Sequence, residues 1–281
     1  MRLLRYGVSG AEKPGLVDKS GRLRDLSGTI ADIAGDVLTP DGLAKLAKLK
    51  PENLPEVGGK PRLGPPLARI GKIIGVGLNY SDHAKEVGLP LPKEPTLFLK
   101  ATSSLAGPTD DLRMPRDGVK LDWEVELGVV IGQGGVYISE TAAMDHVAGY
   151  CLGIDFTERE FQYNRGGQGF KGKSSDTFGP LGPWLVTRDE IADPHELKLH
   201  LTVNGVTRQN GNTSNMIYSV GELVSYCSRF MSLQTGDVIL TGTPAGVAKR
   251  EVLGDFLKPG DEVIATIDGL GEQRHRVADS H

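Results

Sequence analysis

Residues 121–131 read LDWEVELGVVI, in which acidic and apolar side chains alternate before the segment becomes wholly apolar. Alternation along a strand places Asp122, Glu124 and Glu126 on one face and the apolar residues on the other. Same-face neighbours lie only about 7 Å apart, so carboxylates with no lysine or arginine in the strand repel each other, and burial adds to the cost. A divalent cation would remove both penalties, so the segment indicates a metal site on a sheet.

A third acid, Asp155, ends the apolar segment GYCLGID at residues 149–155, where packing does not need a carboxylate. Three carboxylates without convergent histidines or cysteines suit Mg²⁺, Mn²⁺ or Ca²⁺ better than zinc. The alternative is that Glu124 and Glu126 lie on a solvated sheet face and that Asp155 caps a turn. The Glu-x-Glu pattern taken alone favours that alternative.

Composition excludes several classes of function. The chain has 281 residues, with 32 basic and 36 acidic side chains and a net charge of -4, which argues against nucleic acid as the main partner. No apolar segment approaches the roughly 20 residues of a membrane helix, and the N-terminal MRLLRYG is too polar for a signal peptide. The two cysteines favour a reduced, cytoplasmic protein, although their number also allows one disulfide.

The pattern of secondary structure predicts an α+β fold that is mostly β. The 38 glycines and 17 prolines favour turns and short strands, and the strands do not alternate regularly with helices as in a doubly wound sheet. A capping box at Ser219 and Glu222 predicts the start of one helix. The predicted strands cover 72–76, 96–100, 122–131, 149–155, 184–187, 198–203, 206–209, 237–241 and 262–267, and further helices cover 40–48 and 141–147.

A domain boundary is predicted in the segment 51–66, which contains five prolines and three glycines. Residues 1–65 are predicted to form a small N-terminal α+β module with its linker, including a hairpin that turns at residues 19–21. Residues 66–281 are predicted to form the catalytic domain.

His83 and Glu86 are candidates for acid–base chemistry. They lie three residues apart on a predicted short helix, capped by Ser81 or Asp82, and so share one face. A carboxylate beside an imidazole raises its basicity and fixes its tautomer, which suits a base that activates water. The alternative is an ordinary surface pair. Several glycines flank the segment, which indicates a mobile lid.

Three further segments contain polar side chains that can contact an anion. Lys173 lies among small residues and can reach an enolate or a carboxylate, although an exposed loop lysine is the simpler interpretation. Arg159 and Gln162 follow Asp155 and can hold a carboxylate or carbonyl group. Thr243 lies in TGTPAG, residues 241–246, which forms either an anion-binding nest or a plain turn. No glycine pattern typical of a nucleotide site is present in the sequence.

The order and spacing of these motifs resemble the fumarylacetoacetate hydrolase family over roughly residues 70–270. The motifs are NYxxHxxE at 79–86, FLK at 98–100, EVELGVVI at 124–131, GIDxxxR at 153–159, GKSxDTF at 172–178 and TGTPxGV at 241–247. The resemblance implies a mixed β-sandwich roll, a homodimer, and Mg²⁺ or Mn²⁺ held by Glu124, Glu126 and Asp155.

The same resemblance implies roles for the other candidates. His83 and Glu86 would form the water-activating pair, and Lys173 would stabilise oxyanion charge. The substrate would be a small 2-keto acid, and the enzyme a hydrolase acting on carbon–carbon bonds in ketonic substances. The implied substrate contacts are Lys100, Arg159, Gln162 and Thr243.

One departure from the family pattern bears on the substrate. Fumarylacetoacetase itself has a further aspartate ligand before its histidine, whereas residues 78–80 here read LNY, which favours the smaller acylpyruvase branch. The N-terminal module resembles a bacterial subgroup often labelled ureidoglycolate lyase. It is also similar to hydrolases of 2,4-diketo-3-deoxy-L-rhamnonate or -fuconate in sugar-acid breakdown. The expected reaction is hydrolysis of the C3–C4 bond of such an acid, giving pyruvate and L-lactate.

Other functions remain open from the sequence. The same chemistry suits a general acylpyruvate hydrolase, an oxaloacetate decarboxylase that needs no attacking water, or another lyase or hydratase of the family. The carboxylates can also hold a purely structural ion in a non-catalytic binding protein.

Overall fold

A computed structural model describes residues 1–248 and 255–280, most of which lie in short strands and their connections. The strands are β1 (Arg2–Tyr6), β2 (Lys13–Val17), β3 (Leu23–Asp25), β4 (Leu63–Gly64), β5 (Ile73–Gly77), β6 (Thr96–Lys100), β7 (Leu105–Ala106), β8 (Leu112–Arg113), β9 (Leu121–Asp122), β10 (Val125–Ile131), β11 (Val147–Ile154), β12 (Thr157–Glu158), β13 (Gly179–Pro180), β14 (Leu185–Thr187), β15 (Lys198–Val203), β16 (Val206–Asn212), β17 (Val238–Leu240), β18 (Glu262–Ile267) and β19 (Gly271–Ala278). The helices are α1 (Pro40–Leu46), α2 (Ser81–Glu86), α3 (Glu140–Ala143), α4 (Arg159–Asn164), α5 (Phe170–Lys173) and α6 (Val220–Phe230).

Two larger sheets form the framework. One has the order β3-β2-β1-β14-β11-β10-β17-β5-β6, with β4 also paired to β1, and the other has the order β16-β15-β18-β19-β8. Both are mixed, since β17 runs parallel to β5 and β19 runs parallel to β8. Apolar side chains of β10 and β11 pack in one core with those of β15 and β18. The prediction of a mostly β, α+β fold with a mixed sandwich is confirmed.

Strand β10 lies at the centre of the first sheet and is buried along its whole length. Leu127 and Val129 contribute to the core shared with the second sheet, whereas Val130 packs with residues of the N-terminal segment. Coverage of both faces explains why the alternation of the sequence ends and the segment becomes wholly apolar.

The predicted strand 122–131 is interrupted at Trp123 and Glu124. Residues Leu121–Asp122 pair with β12 in a separate small ladder, so β10 begins only at Val125. The N–H of Asp155 donates to the carbonyl of Glu124 at 2.9 Å, which continues the β10–β11 pairing one residue beyond Val125 and Ile154. The start of β10 and the end of β11 therefore lie side by side.

The N-terminal strands extend the first sheet. Strand β1 is antiparallel to both β2 and β14, and Leu3 and Leu16 pack in one core with Leu185 and Leu240. The hairpin between β2 and β3 lies where the sequence predicts it. The two proposed segments therefore share a sheet, and the boundary after residue 65 stays a prediction.

Local predictions succeed where one side-chain pattern decides the structure. The capping box at Ser219 and Glu222 starts α6 as predicted. Asn204 and Gly205, which both tolerate positive φ and separate the predicted strands 198–203 and 206–209, adopt φ values of 51° and 76° in the β15–β16 hairpin. Helix α3 is shorter than the predicted 141–147, because a 3₁₀ turn at Met144–His146 leads directly into β11.

Strand β19 is missed by the sequence analysis. Its buried positions include the polar residues Gln273 and His275, so the period-two apolar pattern is hidden. Within residues 1–248 and 255–280, none of the helices combines the length and apolar character needed to span a bilayer.

Candidate active site

Three carboxylates converge where β10 begins and β11 ends. Glu126 pairs with Gly153 across the β10–β11 ladder, which places the end of β11, and Asp155 after it, beside the start of β10. Ligand oxygens of Glu124, Glu126 and Asp155 lie within 4.8 Å of one another. The three residues are only 5%, 2% and 0% exposed, so the alternative of a solvated sheet face is wrong.

Lys173 contacts two of these acids directly. Its Nζ donates to Glu124 Oε2 and to Asp155 Oδ2, each at 2.5 Å. The residue is 4% exposed, so the expectation of a solvent-exposed loop lysine is wrong. Burial alone would lower the pKa of Lys173, but the charges of Asp155 and Glu124 outweigh burial and raise it above its usual value, which keeps the ammonium protonated.

Two further cations, Lys100 and Arg159, form ion pairs with these acids. Lys100 Nζ donates to Asp155 Oδ1 at 2.5 Å and also to the carbonyl of Lys173. Arg159 Nη2 lies 2.6 Å from Glu124 Oε1 and 2.7 Å from Asp122 Oδ2. The repulsion expected from the strand alone is therefore partly compensated by residues distant in sequence.

Lys100 does not line the cavity that the acids face, and its Nζ is directed to Asp155. The structure therefore shows Lys100 as a support for Asp155, and its expected direct contact with substrate stays a prediction. Neither this role nor the ion pair between Asp122 and Arg159 was predicted from the sequence. The partners lie 55 and 37 positions apart in the sequence, so no local pattern records either interaction.

Glu126 differs from the other two acids because its hydrogen bond in the described part of the chain comes from a neutral donor, the N–H of Gly242 at 2.8 Å. Burial, together with the charges of Asp155 and Glu124, raises the pKa of Glu126 well above its usual value. Burial also opposes ionisation of Glu124, but Arg159 and Lys173 hold the pKa of Glu124 well below its usual range.

These carboxylates fit a hard divalent cation. Each offers an oxygen donor, and the donors are close enough to share one ion. The excess negative charge is concentrated at Glu126, where an ion would offset the repulsion that raises its pKa. Mg²⁺ and Mn²⁺ both prefer such oxygen ligands.

His83 and Glu86 lie on α2, and His83 lines the same cavity. His83 Nδ1 is 3.1 Å from Glu86 Oε2, which leaves Nε2 as the nitrogen available to a water molecule. The pair is partly buried, with 13% and 28% of the two side chains exposed. Such an arrangement fixes the tautomer and the orientation of the imidazole.

The predicted cap of α2 is wrong. The N-cap position is Tyr80, without a side-chain cap, and Asp82 instead accepts hydrogen bonds from its neighbour's backbone N–H and from Asn215. The helix start is therefore fixed by tertiary contacts, which the local pattern does not contain.

One cavity of about 370 Å³ joins the acids to the candidate base. Arg159 Nη1 donates to Gln162 Oε1 at 3.0 Å, and both residues line the cavity. Thr243 Oγ1 also lines it, but donates to the carbonyl of Val125 at 2.8 Å. The polar lining residues are His83, Thr96, Glu124, Glu126, Asp155, Arg159, Gln162, Lys173 and Thr243. Substrate contact by Arg159, Gln162 and Thr243 stays a prediction.

Gln209 is a further structural residue that the sequence analysis missed. It is fully buried, accepts the N–H of Val125 at 2.9 Å, and donates to Thr243 Oγ1 at 2.7 Å. It therefore ties the start of β10 to the loop of Thr243. A glutamine at an inward position of the predicted strand 206–209 was the available signal.

Comparison with known proteins gives consistent matches over most or all of the chain. Residues 72–278 match the family model described as fumarylacetoacetate (FAA) hydrolase C-terminal. A protein of Burkholderia cenocepacia (strain HI2424) named "Putative hydrolase" is 55% identical over 281 residues, which is 100% of both chains.

Solved structures match equally completely. Fumarylacetoacetate hydrolase from Exiguobacterium antarcticum is 33% identical, with a TM-score of 0.85 over 99% of each chain. Maleylpyruvate hydrolase from Sphingobium sp. SYK-6, in complex with manganese(II) and pyruvate, is 28% identical, with a TM-score of 0.83 over 100% of each chain.

Proposed function

The chain belongs to the fumarylacetoacetate hydrolase family and is an enzyme of that family, and we propose that it hydrolyses the C3–C4 bond of a 2,4-diketo acid. The products are pyruvate and a second carboxylic acid. The observation that supports this proposal most strongly is that one cavity joins three buried carboxylates to the His83–Glu86 pair. Within this class we propose 2,4-diketo-3-deoxy-L-rhamnonate or -fuconate, which would give L-lactate.

Glu124, Glu126 and Asp155 are proposed to hold Mg²⁺ or Mn²⁺. When bound, the ion would act as a Lewis acid on the 2-keto group of the substrate. Support comes from the convergence of three oxygen donors in this chain. Manganese and pyruvate occur together in the maleylpyruvate hydrolase structure from Sphingobium.

His83 is proposed to be the general base. Its Nε2 takes a proton from water, the resulting hydroxide attacks C4, and Glu86 stabilises the imidazolium through Nδ1. The C3–C4 bond then breaks, and its electron pair passes to C3 to form the enolate of pyruvate. The imidazolium returns its proton to C3, so the overall reaction consumes one water.

Lys173 and Arg159 are proposed to stabilise negative charge on the substrate during this reaction. The protonated Nζ of Lys173 faces the cavity beside Glu124 and Asp155, where it can donate to an oxyanion. Arg159 retains Nη1, bonded to the neutral Gln162, as the donor that can approach a substrate carboxylate.

The test is a panel of synthetic 2,4-diketo acids assayed for pyruvate release. Protein treated with chelator and reloaded with Mg²⁺ or Mn²⁺ is compared with protein left without either ion. Lactylpyruvate-type substrates and simple acylpyruvates should release pyruvate with either ion, and oxaloacetate serves as the decarboxylation control. Absence of pyruvate from every diketo acid would overturn the proposal.

We also propose that the chain forms a homodimer. Val136, Tyr137 and Phe230 are 54%, 76% and 62% exposed, and the N–H of Tyr137 bonds to Ser228 on the helix that bears Phe230. Exposed apolar groups of this size favour an interface between subunits. Light scattering after size exclusion should give twice the chain mass of 30.1 kDa.

A further inference from the structure

The lining of the cavity changes in chemistry from its floor to its mouth. The acids at the floor are almost completely buried, whereas Val87 and Leu89, which follow α2, are 41% and 55% exposed. Between these levels lies Phe98, whose ring centroid is 5.0 Å from Lys173 Nζ. The apolar and aromatic lining residues are Val76, Leu78, Val87, Leu89, Phe98 and Tyr163.

From this arrangement, and resting on the proposed function, we propose that the acyl group whose carbonyl carbon is C4 is uncharged and largely apolar. It would lie between Phe98 and the segment that contains Val87 and Leu89. This excludes 2,4-diketo acids that end in a second carboxylate as preferred substrates.

Charge at the floor supports this assignment. The carboxylates there are Asp122, Glu124, Glu126 and Asp155, and the cations bonded to them are Lys100, Arg159 and Lys173. The formal excess is one negative charge, and a divalent ion would convert it to one positive charge. A single substrate carboxylate, the one at C1, therefore balances the site.

A second carboxylate at the acyl end would lack a comparable partner. Among the described lining residues, the permanently charged cations are Arg159 and Lys173, and both are already bonded to carboxylates. Moving a carboxylate out of water without pairing it with a cation costs free energy, which weakens binding.

The mouth offers an apolar acyl group a favourable surface. Val87 and Leu89 expose apolar area that an acyl chain can cover, and such burial favours binding in proportion to the area removed from water. Their side chains provide no hydrogen bonds for a chain rich in hydroxyls, and the hydroxyl groups of the exposed lining residues are those of Thr96 and Tyr163. A lactyl group, which is small, uncharged and carries a methyl group, is compatible with the same surface.

The test compares two six-carbon ligands that lack the C4 carbonyl and so cannot undergo this hydrolysis. One is 2-oxohexanoate, which ends in a methyl group, and the other is 2-oxoadipate, which ends in a carboxylate. Calorimetric titration with Mg²⁺ present should give a Kd for 2-oxohexanoate lower than that for 2-oxoadipate by about tenfold or more.

A pair of matched variants locates the effect. Leu89 and Leu91 are 55% and 58% exposed in the same segment, but only Leu89 lines the cavity. Leu89→Arg should lower the Kd for 2-oxoadipate by about tenfold and raise that for 2-oxohexanoate, because the new cation meets the distal carboxylate. Leu91→Arg should leave both values within about twofold of the wild type, since it adds the same charge outside the cavity.

The outcomes separate this inference from the proposed function. If wild-type protein binds 2-oxoadipate as tightly as 2-oxohexanoate, the apolar acyl subsite is wrong while a 2-oxo acid site stands. An equal shift in the Leu91→Arg variant also overturns the subsite, because the effect would then be general. If neither 2-oxo acid binds, the proposed function itself fails.

Discussion

The carboxylate of Glu86 accepts the backbone N–H of Gly246, with nitrogen–oxygen distances of 3.0 Å and 3.1 Å. The same carboxylate lies 3.1 Å from His83 Nδ1. One side chain therefore orients the candidate base and holds α2 against the loop that contains Thr243. The segment that contains His83 and Glu86, which the sequence indicates is a mobile lid, is therefore hydrogen-bonded to this loop at Glu86.

Glu86→Gln tests the first of these two roles. An amide can still accept the N–H of Gly246, but it cannot balance the charge of an imidazolium, so kcat should fall by about 10²-fold. The melting temperature and the Kd for Mn²⁺ should stay at wild-type values. Unchanged kcat would remove Glu86 from the mechanism.

His83→Ala separates hydrolysis from the binding of metal. We expect kcat for an acylpyruvate to fall by about 10²- to 10⁴-fold, because the imidazole removed is the group proposed to take the proton from water. Binding of Mn²⁺ should be retained, because the proposed metal ligands are the three carboxylates and do not include His83. Decarboxylation of oxaloacetate needs no attacking water and serves as the internal control. Wild-type hydrolysis by this variant would contradict the role of His83.

Glu126→Gln should abolish tight metal binding without destabilising the metal-free protein. Burial and two neighbouring carboxylates raise the pKa of Glu126, so its ionised form is disfavoured before any ion binds. A neutral amide of the same shape should leave the melting temperature in EDTA equal to or above that of the wild type. A large fall in that temperature would show that Glu126 stabilises the fold by itself.

Asp155→Ala is the contrasting case. Removing this carboxylate leaves Lys100 and Lys173 buried without one of their partners, since both donate to it at 2.5 Å. Loss of one partner in a buried ion pair costs about 3–5 kcal/mol. Urea unfolding in EDTA should show a clear loss of stability for this variant, and equal stability of the Asp155→Ala and Glu126→Gln variants would contradict the charge arrangement described here.

Gly246→Ala tests the attachment of α2 to the loop. Gly246 has a φ of +109°, and a Cβ there would lie 1.9 Å from the carbonyl oxygen of Arg208, so the loop must move. Gly205→Ala is the matched control, because its φ is +76° but nothing lies within 4 Å of the added atom. We expect Gly246→Ala to lower kcat as well as stability, and Gly205→Ala to affect stability alone. Equal kcat values in both variants would argue against the attachment.

The acidic triad was predictable because two local rules define it. Period-two alternation places Glu124 beside Glu126, and an acid at the end of an apolar strand marks Asp155. The cations that pair with these acids were harder to predict from the sequence. Lys100 reaches Asp155 over 55 residues, and β10, β17 and β5 lie between their strands in the first sheet, so neither a local pattern nor the strand order indicates the contact.

The mistaken details have the same origin. Neither Ser81 nor Asp82 caps α2, because Asp82 bonds to Asn215, a residue 133 positions away. The break at Trp123 follows from pairing of β9 with β12, and the buried Gln273 conceals β19. In each case tertiary contacts outweigh a local preference, as expected where polar groups are buried.

The most direct test is to measure metal binding and catalysis on one sample. Protein dialysed against EDTA is titrated with Mn²⁺, and bound ion and pyruvate release from acetylpyruvate are recorded at each point. The account predicts one tightly bound ion per chain, activity that rises in proportion to it, and loss of both in the Glu126→Gln variant. Full activity after chelation, or unchanged tight binding in that variant, would contradict it.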